Sequence, residues 1–296
     1  MVKVPKFSLL IPTFNRKRLL QRCLEAATSQ DYPDYEVIVI DDASTDGTAE
    51  MVCRFFPQVR HLRQKVNQGP AAARNRGIRE ATGELIAFTD DDCLLPSDFL
   101  SRLAAGYQEY PEVAGVGGYL DPPAELLRTN LWARYEFYVT HQVYRAGSEP
   151  YLGGVDCPAG GTNSMSYRRK VLEEVGGFDE SFPFAGGEDT DLKWRVVSRG
   201  YSLLYVPVRV IHLRSYSLRN FWRQYQTHGR GVVHFERKHK GHPPTYLRMI
   251  LRGGVRLLRW GRDLFRLGPE LATAKLVVEL ADVVGQWREV RRLRCQ

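Results

Sequence analysis

Short apolar runs alternate with amphipathic stretches through most of the chain. Residues 7–11 (Phe7-Ser8-Leu9-Leu10-Ile11) are closed by Pro12-Thr13-Phe14-Asn15, which predicts a buried strand followed by a loop. Residues 18–29 place Leu19, Leu20, Cys23, Leu24 and Ala27 on one side of a helix. Glu36-Val37-Ile38-Val39-Ile40 predicts a second buried strand, ended by Asp41-Asp42. A turn at Ser44-Thr45-Asp46-Gly47-Thr48 leads into a helix with Ser44 or Thr45 as its cap. Strands are expected at 59–62, 85–88 and 201–211, and helices at 71–81, 169–175, 190–198 and 272–284. Strands alternating with helices imply βαβ units and a largely parallel sheet covered on both faces. The stretch 113–167 is rich in glycine and aromatics and carries no clear period.

The pattern changes near residue 218, where acids become sparse and arginines multiply. On a helical wheel Arg248, Arg252, Arg256, Arg259 and Arg266 fall on one side, and Leu247, Ile250, Leu251, Leu258, Leu264 and Phe265 on the other. Gly253-Gly254 and Gly261 weaken that helix. Two readings follow: a helix packed on the protein body, or contact of residues 247–267 with an anionic membrane surface. A domain at 1–215 and a basic helical extension at 216–296 are therefore expected.

Composition narrows the class. The 296 residues carry a formal net charge of +8, which suits an anionic partner. Five cysteines without a C-x-x-C pair argue against a disulfide framework or a zinc site, and for a reducing compartment. The amino-terminal residues lack the apolar segment of a secretory signal, and no apolar run reaches membrane-spanning length, so a cytoplasmic location is expected.

The chemistry concentrates in three acidic groups. Asp90-Asp91-Asp92 closes the apolar run Leu85–Thr89. Adjacent carboxylates repel unless a cation or solvent screens them, and a hard divalent ion takes one or two carboxylates plus substrate phosphates. Asp41 and Asp42 end another strand, at the same sheet edge if the two strands are parallel. Carboxylates there can accept from a base N–H or from ribose hydroxyls. The third group, Gly186-Gly187-Glu188-Asp189-Thr190-Asp191, precedes a helix, where acids are favoured by the helix dipole. A carboxylate held there can act as general base on an acceptor hydroxyl. The first strand runs into no G-x-G-x-x-G, which argues against a dinucleotide dehydrogenase, and no G-x-x-x-x-G-K-[ST] occurs, which excludes a P-loop.

Five segments in order, Ser8–Arg16, Val37–Thr48, Asn67–Gly77, Phe88–Asp92 and Gly187–Leu192, resemble the family 2 glycosyltransferases of the GT-A fold. The resemblance covers roughly residues 6 to 215. It implies an α/β fold with a mostly parallel central sheet flanked by helices, and inverting sugar transfer from a nucleotide sugar. Pro12, Thr13 and Asn15 would lie under the nucleoside, and Asp41 or Asp42 would contact the base, Asp42 being favoured. Arg74 would face the nucleotide. Asp90, Asp91 and Asp92 replace the family's D-x-D, with Asp90 and Asp92 as metal or ribose ligands and Asp91 able to substitute for either. His212 would complete the shell of Mn²⁺ or Mg²⁺, imidazole suiting Mn²⁺ better. Asp189 matches the catalytic base and Glu188 would orient it or contact the acceptor. Gly160 and Gly161 would lie beside the donor sugar, with the loop at Gly117-Gly118 also shaping sugar choice. The resemblance favours UDP over dTDP and GDP. It extends to a hydroxyl acceptor that includes lipid-linked ones, to cell-surface glycoconjugate synthesis, and to a place on the inner face of the membrane. No nucleic acid is expected. The rival readings are a nucleotidyltransferase and a non-catalytic membrane or nucleic-acid binding module. The aromatic stretch 132–151 either selects the acceptor or forms a packed helix.

Overall fold

The computed structural model describes residues 4–182 and 184–295, with side chains at all of these but 252 and 253. Two compact units emerge. The first comprises the chain up to Asp121, then Thr140–Glu180 and Asp189–Leu213. The second comprises Pro122–Val139, Ser181–Glu188 and the chain from Arg214 onward. Residues 122–139 and 181–188, assigned by sequence to the first domain, thus cluster with the carboxyl-terminal helices.

The first unit is built on a nine-stranded sheet: β1 (Phe7–Thr13), β2 (Tyr35–Asp41), β3 (Arg60–Arg63), β4 (Leu85–Phe88), β5 (Cys93–Leu94), β6 (Gly115–Asp121), β7 (Tyr151–Gly153), β8 (Met165–Arg168) and β9 (Leu203–His212). Their order is β3-β2-β1-β4-β8-β6-β9-β5, with β7 also on β9. Pairing is parallel across β3-β2-β1-β4, the half that carries most of the acidic motifs. β8 runs against both β4 and β6, so the whole sheet is mixed.

Alternation along β1 decides which helices cover which face. Phe7, Leu9 and Ile11 point into a core with Leu20 and Leu24 of α1 (Lys17–Ala27), Met51 and Val52 of α2 (Thr48–Phe55), and Leu100 and Leu103 of α4 (Phe99–Glu109). Leu10 points the other way, with Ile38, Ile40 and Phe88. It meets Ala71, Ala73 and Ile78 of α3 (Pro70–Glu80), Val171 and Leu172 of α6 (Arg169–Val175), and Leu192 and Val196 of α7 (Glu188–Ser198). The period-2 and period-3.6 patterns of the sequence therefore specify the same layers.

Two local expectations change. Neither Ser44 nor Thr45 caps α2; Gly47, at φ 82°, is the N-cap, and the Asp46 carboxylate takes the Thr48 N–H at 3.2 Å. Gly117 and Gly118 lie within β6 rather than in a loop, and a Cβ on Gly118 would sit 2.2 Å from the Val208 carbonyl oxygen. The stretch 113–167, for which the sequence offered no clear period, yields strands, a helix and an irregular loop.

In the second unit α5 (Leu131–Tyr138) is a packed helix. Its N-cap Asn130 accepts the Trp132 and Ala133 N–H groups, and Trp132 and Tyr135 stack around Phe221. Phe221 belongs to α8 (Leu218–Lys240), which packs on α9 (Tyr246–Arg294). α9 runs unbroken through the glycines at 253, 254 and 261 and bends at Gly268-Pro269. No helix among the described residues is long and apolar enough to cross a membrane.

Glu36 ties the β1–β2 pair to the turn before β4. It accepts from Ser8 Oγ at 2.6 Å, Thr82 N at 2.7 Å and Arg60 Nη1 at 3.1 Å. Burial alone would raise its pKa, but the Ser8 and Thr82 bonds outweigh burial and pull it down to about 2. A carboxyl held below its unfolded value stabilises the fold above the unfolded pKa, and the benefit is lost as pH falls towards the folded one. Glu36→Gln should therefore cost about 1.5–3 kcal/mol at pH 7. Urea denaturation at pH 7 and pH 3 should show a smaller difference between the two proteins at pH 3.

Candidate functional site

Parallel pairing brings the carboxyl ends of β1, β2 and β4 to one edge of the sheet. Asp41 is the last residue of β2, in register with Thr13, and the Asp42 N–H donates to the Thr13 carbonyl at 2.9 Å. Asp90, Asp91 and Asp92 follow β4. The short β5 pairs antiparallel with the end of β9, setting Cys93 opposite His212, and Leu213 N donates to the Asp92 carbonyl at 2.7 Å. A residue at 212 is thereby returned to the edge where residue 92 lies.

The three adjacent aspartates have different partners. Asp90, one-third exposed, accepts from Arg74 Nη2 at 3.0 Å. Arg74 is itself buried on α3, with its guanidinium over the Phe178 ring. Asp91 is buried and accepts from Thr13 Oγ1 at 2.7 Å and Arg16 Nη1 at 2.9 Å. Burial raises its pKa to about 6, against the pull of Arg16. Asp92 receives the same Arg16 nitrogen at 2.8 Å and has His212 Nε2 3.5 Å from its Oδ1. Burial would raise its pKa, but His212 and Arg16 prevail and hold it well below the usual carboxylate range. Asp91 thus ties β1 and Arg16 to the loop after β4, one bond to each of its oxygens. Arg16, assigned no role from sequence, joins two of the three acids. Its place just past β1, at the edge where the acids gather, is the signal that could have found it.

Asp41 and Asp42 are both buried. Asp41 accepts the Ser44 N–H at 2.7 Å and faces His61 Nε2 at 3.4 Å. Asp42 accepts from Gln64 Nε2, Gln68 N and Gly69 N, at 2.6, 2.8 and 2.8 Å. Gly69 is the N-cap of α3, so the Asp42 charge lies at that helix's positive end and shapes the loop 64–69. The favoured base contact therefore falls on a carboxylate already engaged by three donors. Thr13 likewise spends its hydroxyl on Asp91, and Pro12 is a residue of β1. Asn15, at φ 53°, joins the loops after β1 and β2: its Oδ1 takes the Thr45 N–H at 2.7 Å and its own N–H goes to Ser44 Oγ at 2.9 Å.

Asp189, in the first turn of α7, accepts the N–H of Thr190 at 2.7 Å on Oδ1, with no donor on Oδ2 among the described residues. Burial raises its pKa; the Thr190 bond and the nearby Arg74 charge oppose that, and the Asp90 charge adds to it. Asp189, Arg74 and Asp90 are therefore within electrostatic reach of one another, and Tyr144, exposed, is within reach of Asp189. Glu188 is buried, and its Oε2 takes the Gly186 N–H at 2.7 Å. That bond closes the Gly186–Glu188 turn immediately before Asp189. Gly160 adopts φ 138°, a conformation that favours glycine, and a Cβ there would meet Lys193 Cδ at 2.7 Å. Gly161 follows it beside Asn163, whose carbonyl accepts from Thr89 Oγ1 at 3.1 Å.

Among the described residues no set of three side chains has metal-ligand spacing. Asp92 and His212 converge as a pair, one oxygen and one nitrogen donor, while Asp90 is bonded to Arg74 instead. Such a pair fits a divalent ion whose remaining positions go to diphosphate oxygens and water.

Residues 8–176 match the family model described as Glycosyl transferase family 2. Glycosyltransferase AglE of Haloferax volcanii is 31% identical over 213 residues, covering 68% of this chain and 64% of its own. The GalNAc(5)-diNAcBac-PP-undecaprenol beta-1,3-glucosyltransferase of Campylobacter jejuni is 38% identical over 122 residues, 38% of each chain. The chain thus spans less than two thirds of the length of these curated relatives. Mannosyltransferase PcManGT from Pyrobaculum calidifontis, solved with GDP-Man and Mn²⁺, superposes with a TM-score of 0.70 at 21% identity, over 98% of this chain and 88% of that one. GalNAc-T7, solved with UDP, GalNAc and Mn²⁺, superposes at 0.56 and 18% identity, over 78% and 48%. These likenesses show the fold expected from the sequence, GT-A.

If Asp91 is a strut, its loss reads out in stability. Asp91→Ala strands Thr13 Oγ1 and leaves Arg16 bonded to Asp92 alone, and should cost about 2 kcal/mol. Asp91→Asn, which still accepts from Thr13, should cost less. Chemical denaturation of both variants checks the order.

Proposed function

We propose, from the premise that the chain belongs to glycosyl transferase family 2, that it moves a hexosyl group from a nucleoside-diphosphate sugar to an acceptor hydroxyl with inversion. The observation that carries this reading is the gathering of Asp189, Arg74 and Asp90 at the sheet edge where Asp92 and His212 pair. A binding module has no use for an aspartate of raised pKa beside a buried arginine. Nucleotidyl transfer does not need one at the start of a helix.

In this reading the acceptor hydroxyl gives its proton to Asp189 as its oxygen attacks the anomeric carbon. The bond from that carbon to the diphosphate oxygen breaks on the opposite face, and the nucleoside diphosphate leaves. The raised pKa of Asp189 strengthens it as a base. Arg74 offers its charge towards the phosphates, with Asp90 holding the guanidinium in place. Asp42 contributes to nucleoside binding through the loop 64–69 that it braces, with Asn15 fixing the neighbouring turn. Asp92 and His212 would hold Mn²⁺ or Mg²⁺, which when bound offsets the negative charge of the diphosphate. Gly160 and Gly161 let the backbone approach the donor sugar. UDP is the favoured nucleotide, with GDP and dTDP as the alternatives. Three relatives are glucosyltransferases by name, and one of these names an undecaprenol-linked acceptor. That supports a lipid-linked acceptor and work at a membrane surface.

A panel of nucleotide sugars with Mn²⁺ tests the reading: one donor should give transfer or slow hydrolysis. Asp189→Asn should lower kcat by about 10²–10⁴-fold while leaving donor affinity nearly unchanged. Because burial raises the Asp189 pKa, the unprotonated base is lost as pH falls through a value above the usual ~3.9. The acid limb of kcat should lie correspondingly high. Removing the divalent ion, or making His212→Ala, should abolish the thermal shift given by the matching nucleoside diphosphate with Mn²⁺.

A further inference from the structure

The amphipathic first half of α9 is inside out for a helix packed on a protein body. Met249 is buried, and Asp263 is buried against Lys275 at 2.7 Å. Arg256 turns inward to Asp282, at 2.8 Å. The leucine-rich side faces outward: Leu247 is 67% exposed, Ile250 70%, Leu258 82% and Phe265 94%. Leu251, Val255 and Leu257 are exposed with them. At ~100° per residue these side chains occupy one arc of about 160° along the helix. Monomeric proteins rarely leave so continuous an apolar stripe uncovered.

Charge decides what covers it. Between Tyr246 and Leu267 the chain has six arginines and one acid, the buried Asp263. Arg259, Arg262 and Arg266 are exposed, at wheel positions along one flank of the apolar arc. A shallow groove of about 400 Å³ is lined by Arg248, Leu251, Val255, Arg256 and Arg259, guanidinium beside aliphatic carbon. A second protein copy would bring its own arginines against these. A neutral apolar partner would leave them without counter-charge. A phospholipid surface offers acyl carbons at one depth and phosphates a few ångströms above, the order in which the helix presents leucines and arginines. No described helix can span a bilayer, so the helix lies in its surface.

We infer that residues 247–266 of α9 are a membrane-docking face that seats in the headgroup layer of an anionic bilayer. Leu258 and Phe265 sink deepest, and Arg259, Arg262 and Arg266 engage lipid phosphates. This deepens the proposed function by giving the lipid-linked reaction its surface, yet it is read without turnover, so either can fail alone.

Co-sedimentation of the full chain with phosphatidylcholine vesicles, with and without a quarter phosphatidylglycerol, tests it. The anionic vesicles should bind about tenfold more protein at ~0.1 M salt, less as salt rises. Leu258→Glu with Phe265→Glu should abolish binding while circular dichroism and the thermal shift by nucleoside diphosphate stay as in the parent. Gly261→Leu, where an added Cβ meets nothing within 4 Å, should strengthen it. Equal binding to neutral and anionic vesicles, or unchanged binding of the double glutamate variant, would overturn the inference. So would a chain that ignores vesicles and, by light scattering, dimerises through this face.

Discussion

Three consecutive aspartates cannot share one loop without compensating charge, and the way this chain supplies it organises the whole edge of the sheet. Each carboxylate has its own arrangement of partners: Asp90 takes Arg74 from α3, Asp91 takes Arg16 from the loop after β1, and Asp92 takes Arg16 together with the imidazole of His212 from the end of β9. Four segments remote in sequence are pinned to one place by that need. The three acids also separate chemically: burial raises Asp91 to about 6, while Asp92 is held low by its contacts with His212 and Arg16. A run of identical residues thereby yields non-identical sites.

The parallel half of the fold was legible because its signals are local. Apolar runs of strand length, each followed by polar turn residues, identified β1, β2 and β4, and their shared direction put Asp41, Asp42 and Asp90–Asp92 on one edge. β8 was not legible: Met165–Arg168 is only four residues long, and its antiparallel place between β4 and β6 is set by glycines on β6 that admit close packing. α4 escaped for a similar reason, its buried side mixing Phe99, Leu103 and Tyr107 with Gly106.

Candidate residues were legible as types and places, less as roles. Sequence cannot say that Thr13 will spend its hydroxyl on Asp91, that Asp42 will meet three donors from the loop before α3, or that Glu188 will fold back on Gly186. Those are long-range hydrogen bonds decided by tertiary geometry. The reverse holds for α9: the wheel separated arginines from leucines correctly, but only packing reveals that the leucine side faces out. Arg256, on the arginine side of the wheel, binds Asp282 within the helical unit.

In the proposed reaction, acids far apart in the chain enclose one donor site. The most direct test of that arrangement is an anomalous-diffraction map of crystals grown with Mn²⁺ and the matching nucleoside diphosphate. A single strong manganese peak is expected between Asp92 and His212, next to the diphosphate, with the Asp189 carboxylate facing the space beyond the terminal phosphate. Nucleotide bound at another edge of the sheet, or manganese held by residues that include neither Asp92 nor His212, would contradict it.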